Sequence, residues 1–524
     1  MKITMHVILF LLLMAFASGL QAQDFGFGFG EETGGDETVS GSGSSSGSRR
    51  LVSVKVGGEA AVELAPYVYD FNKKGNAGAI SFWDMVSAKI NFTVSAGNVD
   101  AYTAFNLNAD AIRELWDKSS PLGDPSYTPL IMDEAYLRAF IGPVNVEAGL
   151  RKLSWGKADS LGPLDVINPL DYTDLRNISD LQALKIARPM AHVTWNPGGF
   201  SKLEAVFIPN FSGHRFAQEG RWASSQFADM SSVAEAGILS RAYQKFPQMV
   251  LVASDPRVAG LFNSMKAGFA EYLNNNPVDF PSTGGLNYFQ TGLRFTATVG
   301  PADIGAQYFY GNLFLPDFSI GGVDAFLDDL VGDVLSSNFT NPSPGDPTML
   351  KPQIKYNRYH QIGVDYAQVV FGFNIRAELA LHLTEDLKGD DGAVRNPFIG
   401  WSLGFDRDLL WGINANIQCN ETLRLFNSQV GSNPILDCEA DTKITSTRFT
   451  MQLSKKFFRD ELESKVIVIW DVEDLDCYII PALIWTIGPM STELSAGIFT
   501  GNKSGELGQY WENSFIKLGV KYSF

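Results

Sequence analysis

From Leu51 to the C-terminus the chain repeats one pattern, in which segments of roughly ten residues alternate apolar and polar positions and are joined by tight turns and long connections in turn. Period-two alternation puts successive side chains on opposite faces of a strand, and a strand with one apolar and one polar face suits a boundary between lipid and water. The clearest pair is 134–140 with 145–151 across Gly142-Pro143. Others are 185–196 with 200–211, 292–298 with 303–310, 358–366 with 373–382, 398–406 with 410–419, 447–457 with 461–470, and 478–487 with 492–499. With two or three strands between Val52 and Leu107 and one at the C-terminus, the pattern predicts an all-β fold. That fold is a transmembrane antiparallel up-and-down β-barrel of about 16 to 18 strands with helical loop insertions.

The last strand is the most specific element. Ile516, Leu518, Val520, Tyr522 and Phe524 share one face, while Lys517, Gly519, Lys521 and Ser523 share the other. The first face suits lipid and the second a watery lumen. A terminal Phe524 with Tyr522 two residues before it resembles the assembly signal read by the barrel-assembly machinery, an expected partner together with outer-membrane lipid.

The N-terminal pattern differs. Lys2 precedes an apolar run over 7–17, the length of a signal-peptide core and too short to span a bilayer as a helix. Residues 1–22 are expected to be a signal peptide cleaved after Ala22, with Ala17 as the alternative, and 23–50 a flexible Gly/Ser-rich linker. The barrel then occupies 51–524, interrupted by insertions at about 212–281 and 312–350. Helical periodicity appears there at 231–243, 255–273 and 322–336, where Val323, Phe326, Leu327, Leu330, Val331 and Leu335 fall on one side. These insertions either fold over or into the pore or pack on its rim.

Composition agrees with a barrel. Fifty glycines, 37 phenylalanines, 17 tyrosines and 10 tryptophans supply turns and interfacial girdles. After residue 22 no run of about 18 apolar residues occurs, which excludes a helical membrane protein. A net charge of −17 with no basic stripe argues against nucleic acid as a partner. Cys419 and Cys438 flank a polar loop and are a candidate disulfide, leaving Cys477 over.

Candidate chemistry lies on the inward face. If Leu137, Leu293, Ala377 and Leu379 meet lipid, alternation places Arg138, Arg294, Arg376 and Glu378 in the lumen, joined by Arg151 and Arg188, to tune selectivity or to pair and fill the barrel. Asp159, Asp165 and Asp171 offer hard oxygens for a cation, but their spacing does not fit the EF-hand loop, and a structured loop capped by Asx turns explains them better. Catalysis has no support: the histidines outside the signal lack a nucleophile motif, and His382 beside Glu378 reads as a lumenal polar pair. No metal or cofactor is called for.

These residues also carry a resemblance. The segment 149–159, Gly-Leu-Arg-Lys-Leu-Ser-Trp-Gly-Lys-Ala-Asp, followed by Asp165-Val166-Ile167-Asn168-Pro169-Leu170-Asp171-Tyr172, resembles a family of large bacterial outer-membrane proteins. That family has a Trp-Gly-x-x-Asp…Asn-Pro-x-Asp signature and is similar to alginate-export porins. The resemblance, over roughly 80–524, implies one porin-like barrel in the bacterial outer membrane and, in some members, export or uptake of hydrophobic compounds. Two functions stay open: a porin or channel-type transporter passing a small or hydrophobic solute through a charged, loop-occluded lumen, and a non-transport surface protein such as an adhesin whose long loops bind a partner.

Overall fold

The computed structural model describes residues 52–72, 86–108, 131–217, 220–224, 230–247, 281–336, 346–440 and 442–524. The expected signal peptide at 1–22, the linker at 23–50 and the helical stretch at 255–273 lie outside them. Eighteen strands form one sheet that closes on itself, the upper end of the expected range. The barrel strands are β1 Ser53–Leu64, β2 Val86–Ala96, β3 Val99–Asn108, β4 Met132–Ile141, β5 Val144–Arg151, β6 Arg188–Gly198, β7 Ser201–Ile208, β8 Gln290–Val299 and β9 Ala302–Asn312. They continue as β10 Arg358–Val370, β11 Phe373–Thr384, β12 Phe398–Asp408, β13 Ile413–Arg424, β14 Thr445–Phe457, β15 Leu462–Asp471, β16 Asp476–Ile487, β17 Met490–Gly501 and β18 Phe515–Ser523.

Each strand pairs antiparallel with its sequence neighbours, and β1 meets β18 in the register Glu59↔Ser523 to Leu64↔Leu518. Gly58 and Phe524 exchange both backbone hydrogen bonds at 2.9 Å, so the last residue takes part in closure. The tight turns gather at one end of the barrel. In three of them a glycine with positive φ (Gly142, Gly300 and Gly488) precedes a proline, which matches a two-residue II′ turn: the glycine supplies the positive φ and proline sets the next one. Long connections occupy the other end, apart from the short link 472–475.

Alternation sorts the side chains as expected. Leu137 (58% exposed), Leu293 (53%) and Leu379 (50%) face outward, whereas their chain neighbours Arg294 and Glu378 are each 4% exposed and face inward. On β18 the outward Ile516 and Leu518 are exposed, and the inward Lys517 and Lys521 pair with Glu493 and Glu59, both at 3.2 Å. Exposed aromatics ring the tight-turn end (Trp195, Phe371, Trp411, Phe458, Trp485) and recur toward the other (Phe207, Phe289, Tyr308, Trp470). Two such girdles bracket an apolar band in a membrane barrel.

Among the described residues two long helices sit on the rim: α1 Met230–Lys245, which contains the predicted 231–243, and α2 Val323–Ser336. Ile238 and Ala242 of α1, Val323, Phe326 and Leu327 of α2, and Ile320, Leu350 and Ile435 from nearby connections share a small core. Arg241 clips the helices together through Asp324 at 2.8 Å. The three cysteines are free thiols, so the expected Cys419–Cys438 bond is not formed. Cys419 lies within β13 on the outward face, paired across to Leu403 and Phe449, whereas Cys438 is held in a loop by its N–H donating to the Gly392 carbonyl at 2.8 Å.

An arginine at the outward mid-strand position 379 faces hydrocarbon. L379R is expected to destabilise the barrel by about 2–4 kcal/mol in urea titrations in lipid vesicles, and T450R, on the inner face, by far less.

Candidate functional site: a loop-narrowed lumen

The connection between β5 and β6 does not stay outside. Residues 152–187 turn into the barrel and cross it, so the segment that carries the family-like signature is the one that narrows the lumen. Glu378 on β11 is its main anchor. The carboxylate accepts from the backbone N–H groups of Lys157, Ala158 (2.7 Å) and Leu164 (3.4 Å). A Cβ on Gly156 or Gly162 would stand 2.4 Å from a Glu378 oxygen, which is why glycine occupies both places. Further round the ring Gln418 on β13 accepts from Asp159 and Ser160 N–H at 2.8 and 3.1 Å and donates to Ser160 Oγ at 2.7 Å. At the far side Leu175 packs on Ile467, Ile469 and Tyr478, and the Tyr478 hydroxyl donates to the Arg176 carbonyl at 3.3 Å.

A second crossing runs above it. After β7, residues 211–217 head across the lumen and 220–224 lie at the nearly opposite β17–β18 wall, where Trp222 packs against Phe499 and Tyr510, and Asn513 donates to the Arg221 carbonyl at 2.9 Å. The two crossings touch: Asp171–Tyr172 pairs in parallel with Arg215–Phe216, and Arg215 meets Asp171 at 3.1 Å. His214 lies between them among Tyr172, Phe216 and Phe314, and its Nδ1 accepts the Leu170 N–H at 2.9 Å. Burial pushes its pKa down to about 4, so the ring is neutral at ordinary pH.

All six predicted lumen residues point inward, but they do not converge. Arg138 meets Glu147 at 2.5 Å, and Arg151 meets the same carboxylate. Arg188, 1% exposed, donates to the carbonyls of Ile167 (3.5 Å) and Asn210. Arg294 pairs with Asp365 at 2.6 Å, and Arg376 with Asp406 at 2.6 Å and with Asp159. Inside a barrel wall an unpaired charge is costly, and pairing removes most of that penalty. The candidate cation loop is dispersed by the same logic. Asp159 goes to Arg376, Asp165 to Lys185 at 2.6 Å and Asp171 to Arg215, and among the described residues no cluster could hold a metal ion. Burial raises the Asp165 pKa, opposed by the Lys185 charge. His382 does not pair with Glu378; it accepts or shares a contact with Gln361 Nε2 at 3.1 Å and stacks on Phe398.

The open space lies elsewhere. A cavity of about 550 Å³ runs between the crossing loops and strands β13–β15, and none of the six predicted residues lines it. The strand side is polar along Thr422 on β13 and Ser446, Arg448, Thr450 and Gln452 on β14, and turns aliphatic at Ile467 and Ile469 on β15, the cross-strand partners of Gln452 and Thr450; the loop side adds Leu161, Leu175 and Ile178. Alternation along β14 already places 446, 448, 450 and 452 on one face, so that wall was there to be found in the sequence, but the loop opposite it was not.

A closed 18-strand ladder with an apolar exterior, aromatic girdles and a polar, loop-narrowed interior defines a transmembrane β-barrel of the outer-membrane type. No protein-family model matches the chain. No curated protein matches it either. Among solved structures it is similar to the outer membrane channel DcaP of Acinetobacter baumannii, at 9% identity and a TM-score of 0.37 over 91% of this chain and 99% of that one. It is also similar to the outer membrane protein OpdK from Pseudomonas aeruginosa, at 10% identity and a TM-score of 0.41 over 90% of this chain and 99% of that one. A porin of Rh. blastica follows at 9% identity and a TM-score of 0.33, over 90% of this chain and all of that one.

Removing the Glu378 anchor is expected to release the inner loop. E378A loses hydrogen bonds to a charged acceptor worth about 1.5–3 kcal/mol each, so trypsin should nick at Lys157 more than about tenfold faster, read as a timed digest of the folded protein in detergent.

Proposed function

We propose that this protein is a channel of the bacterial outer membrane that passes a small, partly apolar solute through an off-centre passage beside β13–β15. The observation that carries this reading is the cavity of about 550 Å³, lined by polar side chains of β13 and β14 and by an aliphatic patch shared by β15 and the inner loop. A barrel that served only as an anchor needs no such space, and its interior is free to fill with packed side chains. The signature segment forms the constriction, which supports the porin-like part of the family resemblance. Passage of a polysaccharide is less favoured, because two loop crossings bridged to each other divide the lumen. The terminal strand with Tyr522 and Phe524 is read as the handle by which the barrel-assembly machinery recognises the chain, and the six inward charges, four ion-paired and Arg188 and Glu378 bonded to backbone groups, as supports that hold the walls and the loop in place.

The test is reconstitution in planar lipid bilayers. The refolded protein should give discrete conductance steps, and deleting the loop tip 157–163 should enlarge them about twofold or more, since a constriction dominates the resistance of a pore. Absence of steps in both forms would favour the surface-protein reading instead, in which the α1–α2 layer on the rim is the working part.

A further inference from the structure

The charges around the cavity are unevenly matched. Arg448 is the only guanidinium among its lining residues, and it is held between two carboxylates, Asp471 at 3.2 Å and Glu506 at 2.8 Å. Arg376, directly behind the loop tip, is bracketed in the same way by Asp406 at 2.6 Å and by Asp159, which lines the cavity. Lys443 meets Asp474, another lining residue. Five carboxylates therefore surround three cations. His214, the remaining titratable base there, is neutral because it is buried.

One carboxylate neutralises a guanidinium; the second leaves a net negative charge at that place. Inside a narrow, low-dielectric passage such a charge acts on a passing ion far more strongly than it would in water, and it is screened less by salt. The arginines, which by themselves suggest an anion path, are thus converted into negative centres. Beside them an aliphatic patch, Ile467 and Ile469 of β15 with Leu175 and Ile178 of the loop, offers contact to an apolar body.

Resting on the channel reading above, we propose that the passage disfavours anions and admits neutral or cationic solutes that carry an apolar group, with Glu506 and Asp159 as the residues that set this preference. Glu506 is the cleaner probe. Its side chain is 56% exposed and it sits in the 502–514 connection outside the barrel strands, so its replacement leaves the wall intact.

The experiment is the reversal potential of single channels in a potassium chloride gradient. Wild-type protein should show a potassium-to-chloride permeability ratio of about three or more. E506Q should bring the ratio toward one and E506K below it, and D159N should act in the same direction. With benzyltrimethylammonium chloride on one side and sodium benzoate on the other, the wild-type channel should pass the organic cation in preference to benzoate. Conducting channels that prefer chloride, or whose selectivity is unmoved in both Glu506 variants, would overturn this proposal while leaving the channel reading standing. A complete lack of conductance would overturn both.

Discussion

Hydrogen bonding of the backbone in a medium without water governs this architecture. Every N–H and C=O that lies at membrane depth needs a partner from the chain itself, and a sheet meets that demand only when it has no edge. The pairing of β1 with β18, completed by the reciprocal bonds between Gly58 and Phe524, is what removes the edge. Once the ring is closed, alternation leaves half of the side chains facing a lumen that water enters, and everything specific to this protein is built from that half.

The interior is organised by charge pairing at a distance in sequence. Asp365 on β10 serves Arg294 on β8 and Lys157 in the inner loop; Glu147 on β5 serves Arg138, Arg151 and His192. Such pairs are weak evidence of net stability, because desolvation consumes much of their attraction, yet they discriminate strongly between correct and incorrect seating of a loop. The inner loop also buries apolar side chains, Trp155 and Ile167 against Met190, Val206, Ile208, Phe309 and Tyr359. Directed bonds then fix its position, its backbone N–H groups donating to Glu378 and Gln418, and Leu175 adds an aliphatic contact at its far end.

Much of the wall was legible in the sequence, since period-two patterning and Gly-Pro turns are local signals. The hairpins at 134–151, 358–384 and 478–501 lie where alternation put them, and so do the faces of β18. The inward direction of Arg138, Arg294, Arg376 and Glu378 followed from the same rule. What they touch did not, because partners such as Asp365 and Asp406 come from other strands and the Glu378 partners come from a loop. The Asp159, Asp165 and Asp171 series looked like one ligand set because the residues are close in the chain; each is taken by a different cation once the loop is folded. Cys419 and Cys438 misled for a related reason: the turn from β13 into its loop falls after Arg424, so Cys419 belongs to the wall.

The short parallel bridge between Asp171–Tyr172 and Arg215–Phe216 makes the two crossings one mechanical unit. The outer crossing is held at the β17–β18 wall through Trp222 and Asn513, while the inner one is anchored on Glu378. Moving either crossing out of the lumen therefore requires giving up its backbone pairing with the other, so the two are kept in place by each other's anchors as well as by their own.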